Sequence, residues 1–315
     1  MPSIKGSITA DIHRIFEKMK DAGVGKDKSG FKRSSLSNGK EFFDEYKGKI
    51  FSFSTLETYK PIAKNFAHWC VDKFNIEKVY EITPRMMKAY VQENSHLSTN
   101  TLKTRLAAIA KLGEGLGKAE SFHRISTKVQ QTLPTAKASR PVYSDSQIKA
   151  IAGKLQRSSP QYVLPFQVQV ETDCRVKELA ALRKEDLLGT STINSQLVGK
   201  VRLSGKGGLI REVSLSYQTY KEMEKSFQEK VSFTSYGGYR CAVQRAAKSL
   251  GLEHGGTHAV RRYGAQKLYK EGYHELRQRG LTTKEAAQNM LHEVNRQLGH
   301  SPNRKSTTRV YINAR

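Results

Sequence analysis

The sequence predicts a mainly α-helical protein with one small antiparallel β-sheet, and three observations lead to this fold class. Apolar residues recur mostly at helical spacing, one short segment alternates with a period of two, and 315 residues are more than one hydrophobic core usually organises. Hydrophobic residues make up 37% and charged residues 26%, a balance on the polar side of folded proteins. We therefore expect two folded domains, with the sheet in the second.

The net charge indicates the kind of partner. The chain has 54 Lys and Arg residues against 29 Asp and Glu residues, a formal charge of +25. Such an excess repels itself unless a polyanion is the usual partner. Nucleic acid fits better than an anionic membrane, because the basic residues are spread along the chain instead of lying on one amphipathic helix. The alternative is a ribosomal-type basic protein that neutralises phosphate without doing chemistry.

Cysteine content and hydropathy exclude several classes. Cys70, Cys174 and Cys241 are odd in number and far apart, which excludes a disulfide framework or a zinc ribbon. No apolar run approaches the roughly 18 residues of a membrane helix, and residues 1–16 lack a signal-peptide core. We expect a cytoplasmic protein with no membrane partner.

The N-terminal region is predicted to be a basic extension over residues 1–50, with a short helix near Asp11–Lys20. A helical domain then follows over residues 51–120. Ser54 and Glu57 have the spacing of a capping box, although Pro61 would kink or delay that helix.

Two further helices are predicted within this domain. Thr83 and Pro84 form an N-cap and first-turn pair for a helix through Val91. Ser98 and Thr99 open the next helix, whose buried face has Leu102, Leu106 and Ile109 at helical spacing. On other faces of that helix, Lys103 and Arg105 are predicted to contact phosphate.

Residues 121–142 are predicted to be a basic linker, because they lack periodicity and include Pro134 and Pro141. Such a segment suits a path along a phosphate backbone, and the alternative is a solvated tether. The basic residues predicted to contact DNA here are Arg124, Lys128, Lys137 and Arg140.

The second domain is predicted over residues 143–315. A helical pattern begins at Ser144, and helices resume after Gln218. Between them, residues 200–215 alternate around a Gly-Lys-Gly-Gly turn, with Leu209, Arg211, Val213 and Leu215 in alternate positions. This pattern predicts a β-hairpin with Lys206 at its tip.

A candidate phosphate site follows two glycines. Thr257 is a predicted N-cap, and His258 and Arg261 share one face of the first turn, where free N–H groups favour an anion. Val260, Gly264 and Leu268 are predicted to form the opposite, buried stripe, and Arg262 is predicted to contact DNA. A zinc site at His254 and His258 is disfavoured, because the intervening glycines break the helix and no further ligand completes a set.

Three more segments contain reactive side chains. Arg175 precedes Glu178 at a helix start, His300 ends a Leu-Gly-His sequence, and Tyr311 lies near the C-terminus. Each also has a purely structural explanation: an Arg175–Glu178 ion pair, a helix cap at His300, and edge packing by Tyr311.

In chain order, these segments resemble the tyrosine recombinase (phage integrase) family across nearly the whole sequence. The family pattern is an Arg before a Glu/Asp-Leu-x-x-Leu run, a Lys on a hairpin, His-x-x-Arg, Leu-Gly-His and a nucleophilic Tyr. The matching residues are Arg175, Lys206, His258, Arg261, His300 and Tyr311. The resemblance implies a two-domain DNA clamp, with a core-binding domain before a catalytic domain.

The resemblance also implies a reaction and its partners. A site-specific recombinase of this family cleaves and rejoins double-stranded DNA at recombination sites, through a 3′-phosphotyrosine and a Holliday junction, as a homotetramer. It needs no metal, nucleotide or other cofactor. By this resemblance, Tyr311 is the nucleophile, Lys206 the general acid and His258 the acceptor or relay of the phenolic proton.

The remaining implied roles concern charge stabilisation. Arg175, Arg261 and His300 would stabilise the phosphate oxygens, and Glu178 would orient His258 or Arg175. A type IB topoisomerase or telomere resolvase shares this set of residues, and a noncatalytic DNA-binding protein of the same fold is a further alternative.

The chain departs from the family pattern at three places. Asp173 stands where the family usually has Gly shortly before the Arg. The stretch from Arg262 to His300 is longer than usual, and the step of 11 positions from His300 to Tyr311 is also somewhat long. The extra segment, Tyr273–Thr283, is predicted to be an exposed insertion before a helix over Lys284–Leu298. Either this segment or the segment that contains Tyr311 is predicted to contact a neighbouring subunit.

Overall fold

The computed structural model describes residues 4–21, 48–134, 142–193, 195–205, 209–229, 232–252 and 255–300. The chain divides into two compact units, residues 1–138 and 139–315. The division falls inside the predicted linker 121–142. Each unit has its own hydrophobic core.

Apart from an isolated β-bridge between Lys20 and Ile50, the regular elements among the described residues of the first unit are helices. Its helices are α1 (Ile4–Lys18), α2 (Phe53–Phe74), α3 (Pro84–Glu93), α4 (Thr99–Gly115) and α5 (Ala119–Thr132). The predicted starts of α3 at Thr83 and of α4 at Ser98 are confirmed, and the Ser98 hydroxyl accepts a hydrogen bond from the Thr101 backbone N–H.

The N-terminal helix belongs to the core of this unit and is longer than predicted. Ile8, Ile12 and Phe16 are fully buried at helical spacing, against side chains of α2 and α4. The expectation of an extension outside the helical domain was therefore wrong for this helix. Residues 22–47, where a basic segment was predicted, lie outside the described residues.

Helix α2 begins earlier than its predicted capping box. Its N-cap is Ser52, and the backbone carbonyl of Ser54 accepts a 2.7 Å hydrogen bond from the Thr58 hydroxyl. Ser54 is thus inside the first turn, and the Ser54–Glu57 cap was wrong. The helix runs through Pro61 without ending.

Helix α5 occupies residues that the sequence analysis assigned to an irregular linker. Phe122 and Ser126, one turn apart, are buried on one face, and Arg124 and Lys128 are exposed on another. Ile125 and Val129 join Phe122 at helical spacing and pack on the core of this unit, a pattern that the linker prediction overlooked. Packing on α4 and α3 stabilises the helix.

The second unit combines helices with one sheet. The elements are α6 (Asp145–Ser158), α7 (Val163–Thr172), α8 (Val176–Ala180), β1 (Leu187–Ile193), β2 (Gln196–Ser204), β3 (Ile210–Ser216), α9 (Tyr217–Glu229), α10 (Tyr236–Ser249), α11 (Gly256–Gln278) and α12 (Thr283–Gln297). The predicted helix start at Ser144 is confirmed, with a capping box to Gln147.

The sheet is antiparallel with the order β1-β2-β3. The predicted hairpin corresponds to β2 and β3, in which Leu203 pairs with Arg211 and Val201 with Val213. The sequence analysis did not predict β1, an edge strand whose side chains are mostly exposed. Arg211 shares its alternation with the buried Val213 and Leu215 and therefore faces the core.

The last two described helices form a helical hairpin. Residues 273–278 continue α11, and most residues of Tyr273–Thr283 are exposed, as predicted; contact of this segment with a neighbouring subunit stays a prediction. The predicted following helix is α12, and its N-cap Thr282 forms a capping box with Glu285. None of the helices in the described parts of the chain is long and apolar enough to cross a membrane.

Candidate active site

A buried carboxylate, that of Glu178, is the centre of the candidate site. It lies in the first turn of α8, whose N-cap is Arg175. Glu178 Oε2 accepts a 2.8 Å hydrogen bond from the Arg175 backbone N–H, and Oε1 accepts a 2.6 Å bond from Arg175 Nη1. The three-residue spacing allows both bonds, because the third helical residue reaches back to the cap.

A second guanidinium reaches Glu178 from the sheet. Arg211 on β3 donates from Nη2 to Glu178 Oε2 at 2.7 Å and from Nε to the carbonyl of Gln297 at 2.9 Å. Only 8% of Arg211 is exposed. The sequence analysis missed this residue, although a cation at an inward position of an alternating strand was a usable signal.

A third guanidinium comes from α11. Arg261 Nη1 lies 3.9 Å from Glu178 Oε2 and donates to the carbonyl of Asp173. Its Nη2 donates to the carbonyl of Leu298 at 2.5 Å. Arg261 is fully buried, whereas the side chain of Arg175 is 25% exposed. Arg175 is therefore the more accessible of the two predicted phosphate ligands.

The charges around Glu178 keep it ionised. Burial by itself raises the pKa of this carboxyl, but the hydrogen bond and charge of Arg211, the Arg175 N–H and the charge of Arg261 together outweigh it. The net effect is a lowered pKa for Glu178. Three guanidiniums on one carboxylate leave the cluster with an excess of positive charge, which suits an anionic ligand.

His300 lies at the end of the same region. It is buried, and its backbone N–H donates to the carbonyl of Asn295 at 2.8 Å. Because Arg261 bonds the carbonyl of Leu298, two residues earlier, the Leu-Gly-His segment is tied directly to the guanidinium cluster. The structure thus brings Arg175, Glu178 and Arg261 together and connects the His300 segment to them.

Asp173 occupies a backbone conformation that usually favours glycine. It caps the C-terminus of α7 at φ 54°, and its side chain is buried. Burial raises the pKa of Asp173 well above its usual range, against the opposing charges of Arg261 and Arg211. A β-carbon placed on Gly264 of α11 would lie 1.6 Å from Asp173 Oδ1. Gly264 therefore makes the room that this carboxyl occupies.

Comparisons with known proteins gave matches among solved structures. Neither a protein-family model nor a curated protein matches the sequence. The site-specific recombinase XerH, bound to palindromic difH substrate in a post-cleavage complex, aligns with a TM-score of 0.63 at 15% identity, over 99% of this chain and 94% of that one.

Lambda integrase also aligns with the chain. In a dimer bound to a COC′ core site, it gives a TM-score of 0.56 at 16% identity, over 88% of this chain and 76% of that one. A lambda integrase tetramer bound to a Holliday junction gives 0.53 at 16% identity, over 90% of this chain and 78% of that one.

The chain has the tyrosine recombinase fold. This confirms the predicted fold class, mainly α with a small antiparallel sheet, and the resemblance found in the sequence at the level of fold.

Two reactive residues expected in this fold lie outside the described residues, namely Lys206 and Tyr311. The described neighbours of Lys206 locate its hairpin. Gly205 donates to the carbonyl of Leu209 at 2.6 Å, and a β-carbon placed on Gly205 would lie 3.0 Å from Glu178 Oε1. The turn that contains Lys206 therefore starts beside the Glu178 carboxylate.

The start of α11 differs from its prediction. The helix begins at Gly256 after Gly255, so Thr257 is inside the first turn and is not the N-cap. His258 is exposed, whereas Arg261 is fully buried, and all residues 259–265 are buried around the helix. His258 and Arg261 remain one turn apart on α11, but burial is not confined to the opposite stripe, because residues 259–265 are buried all round the helix.

The predicted DNA-binding residues fall into two groups. Lys103, Arg124 and Lys128 are exposed on helices of the first unit. By contrast, Arg105 donates to the Tyr90 hydroxyl at 2.8 Å and to the Asn94 side chain at 2.6 Å, and Arg262 is buried. These two arginines therefore have structural contacts: Arg105 is hydrogen-bonded to neighbouring side chains, and Arg262 is enclosed in the core. Lys137 and Arg140 lie outside the described residues.

Metal ligation has no candidate in the described part of the chain, since no three His, Cys, Asp or Glu side chains there are grouped to hold an ion. His254, half of the disfavoured zinc pair, is outside the described residues. Burial raises the pKa of the Cys174 thiol to about 12, so this thiol beside Arg175 stays protonated and is a poor nucleophile.

Proposed function

We propose that the protein is a site-specific tyrosine recombinase or integrase that cleaves and rejoins double-stranded DNA for a mobile element. The observation that supports this most is the guanidinium cluster on Glu178, to which the Leu-Gly-His segment is attached through Arg261. A preorganised, largely buried set of cations can stabilise charge that develops on a phosphodiester. The matched folds are those of DNA-bound recombinases.

The proposed chemistry is a transesterification. The Tyr311 oxygen attacks the phosphorus, the bond to the 5′-oxygen breaks, and a 3′-phosphotyrosine forms. Lys206 donates a proton to the departing 5′-oxygen, and His258 accepts the phenolic proton. A free phenol has a pKa of about 10, so attack at neutral pH requires positive neighbours. Religation reverses these steps, which conserves the bond energy without a nucleotide cofactor.

The guanidiniums bind the non-bridging oxygens in this proposal. Arg175 is partly exposed and is free to pivot outward while Glu178 keeps its backbone fixed. In this proposal Arg261, which is bonded to the Leu298 carbonyl, exchanges that carbonyl for a phosphate oxygen. This exchange would move the adjoining His300 segment, so that DNA binding assembles the site. His300 then supplies a further donor.

The proposed assembly is a homotetramer on two recombination sites, passing through a Holliday junction. The matched lambda integrase tetramer bound to such a junction supports this. We further propose that residues 51–120 form a core DNA-binding domain and residues 143–315 the catalytic domain. DNA would contact both domains, with the exposed cations of α4 and α5 on its backbone.

The test captures the covalent intermediate. The protein is incubated with a library of nicked duplexes of randomised sequence, in which the nick traps the adduct, and trapped DNA is recovered under denaturing conditions and sequenced. Tyr311→Phe should abolish the adduct and retain DNA binding, because only the attacking oxygen is lost. Tyr273→Phe is the matched control and should form adduct normally. Addition of EDTA should leave the yield unchanged.

Other outcomes assign other functions. Adduct formation by Tyr311→Phe would mean that a different tyrosine attacks. If two labelled duplexes of the recovered sequence are relaxed or resealed without hybrid products, the activity is that of a type IB topoisomerase or telomere resolvase. Binding with no adduct from any duplex would indicate a noncatalytic DNA-binding protein.

A further inference from the structure

Arg211 connects three separate parts of the second unit. Its Nη2 bonds Glu178 at 2.7 Å on α8, and its Nε bonds the Gln297 carbonyl at 2.9 Å at the end of α12. On the remaining side, β-carbons placed on Gly299 and Gly205 would lie 2.9 Å and 3.4 Å from Nη1. One guanidinium thus touches the base of the Lys206 turn and the residue before His300.

The contacts of Arg211 lie within the protein on every side, and Arg211, unlike Arg261, is not part of the sequence pattern that predicts phosphate ligands. Nη1 is buried and has no hydrogen-bond partner among the described residues, and the two glycines cover it closely. A buried cation is costly unless it is paired, and Glu178 supplies the opposing charge. Such a group fixes other groups in place.

We infer that Arg211 is a positioning residue, which fixes the Glu178 carboxylate, and through it Arg175 and Arg261, against the segments that lead to Lys206 and His300. This inference rests on the proposed function, because the positioned groups are those that would act on the phosphodiester. It adds to the reaction a residue that touches neither DNA nor the reacting atoms.

The acid limb of the pH profile, which is the fall in adduct formation towards low pH, distinguishes a positioning role of Arg211 from a role in packing alone. The charged and titratable groups around Glu178 are Arg175 from α8, Arg211 from β3, Arg261 from α11, and Asp173 and Cys174 from the preceding turn.

Among the groups that lower the pKa of Glu178, Arg211 has the largest effect, and burial opposes it. Removing Arg211 therefore raises that pKa, and Glu178 takes up a proton at a higher pH. Adduct formation should then fall off at a higher pH than in the wild type.

The experiment compares Arg211→Met and Arg211→Lys with the wild type on the nicked duplex recovered above, between about pH 3.5 and 9. Arg211→Met should slow adduct formation by about 10²-fold, the effect of displacing reacting groups by roughly 1 Å. Its acid limb should move to higher pH. Arg211→Lys should restore the limb but only part of the rate, because one ammonium cannot reproduce the forked contacts to Glu178 and Gln297.

A second variant disturbs the same guanidinium without removing it. Gly299→Ala puts a β-carbon 2.9 Å from Arg211 Nη1, at a residue with φ 58°. The matched control is Gly280→Ala, which has the same kind of left-handed backbone, φ 90°, but nothing within 4 Å of the new carbon. Gly299→Ala should slow adduct formation more than Gly280→Ala does, at equal folded fraction.

The outcomes keep the two ideas apart. If the wild type forms no adduct, the proposed function fails. If the wild type reacts and Arg211→Met keeps its rate and acid limb, or loses rate with an unmoved limb, the positioning role is overturned. If Arg211→Met does not fold, the glycine pair decides: equal rates overturn the role, and a slower Gly299→Ala supports it.

Discussion

The exposed cations on α4 and α5 of the first unit contrast with the guanidiniums clustered on Glu178 in the second. On α4 and α5 of the first unit, Lys103, Arg124 and Lys128 are exposed. In the second unit, Arg211 and Arg261 are buried around Glu178, with Arg175 partly open beside them. Solvated cations attract any polyanion and change little in stability, whereas buried ones are fixed in geometry and depend on their carboxylate.

This difference shows what net charge can predict. The formal charge of +25 predicts a polyanionic partner, and the exposed cations suffice for that. It does not locate chemistry, because the cations that can stabilise a reacting phosphate are those held by a carboxylate in a fixed arrangement.

The largest expected effect comes from removing the shared carboxylate. Glu178→Ala leaves three guanidiniums without their acid, two of them buried, and should lower the free energy of unfolding by about 3–5 kcal/mol. Urea unfolding measures this. Glu178→Gln keeps the volume and hydrogen-bonding capacity and should lose less. A loss under about 1 kcal/mol for Glu178→Ala would mean that the cluster behaves like surface charge.

The same carboxylate predicts a pH dependence. Because the folded protein lowers the pKa of Glu178, its contribution to stability is complete above its ordinary pKa of about 4.3 and disappears as pH falls through the lowered value. The stability difference between wild type and Glu178→Gln should therefore be constant near neutrality and shrink on acidification.

An intermediate effect on the unfolding free energy is expected at the contact between Gly264 and Asp173. Gly264→Ala places a β-carbon 1.6 Å from Asp173 Oδ1 and should cost about 1–3 kcal/mol of unfolding free energy through overpacking. Adding Asp173→Gly should restore stability, because it removes the side chain and suits φ 54°. Thermal or urea unfolding of both variants measures the coupling.

Gly153 supplies the control for this pair. It is also helical, and the nearest atom to an added β-carbon is Arg157 Nη1, at 3.9 Å. Gly153→Ala should therefore stabilise the protein slightly, through helix propensity. Equal effects at Gly264 and Gly153 would contradict the steric account.

The smallest effect on stability is expected at the exposed cations. Arg124→Ala with Lys128→Ala should change the unfolding free energy by no more than about 0.5 kcal/mol. The slope of log affinity for duplex DNA against log salt should nevertheless decrease by about 0.9 for each phosphate that these side chains neutralise in the wild type. Arg105→Ala should instead lower the unfolding free energy and leave the salt slope unchanged, because it breaks hydrogen bonds to Tyr90 and Asn94. An unchanged slope for the double variant would exclude α5 from the DNA interface.

Local pattern was enough for much of the architecture. The starts of α3, α4 and α6, and the hairpin of β2 and β3, follow from caps and alternation that are complete within a few residues. In α5 the helical spacing of Phe122, Ile125 and Val129 was present but overlooked beside Pro134 and Pro141, whereas β1 was missed because an exposed edge strand has little alternation. Arg175, Glu178, Arg261 and His300 could also be predicted as candidate site residues, since each lies in a short sequence motif and the motifs occur in the order of the family pattern.

The sequence by itself thus determined the fold class, the charge that predicts a polyanionic partner, and the segments that contain reactive side chains. Only the tertiary structure decided which of those side chains share a site and which are buried. Arg211 meets Glu178 across 33 residues of sequence, and Arg261 meets Asp173 across 88. The physical reason is that periodicity reports which face of one element is apolar, whereas these contacts depend on how sheet, helix and turn pack together in space.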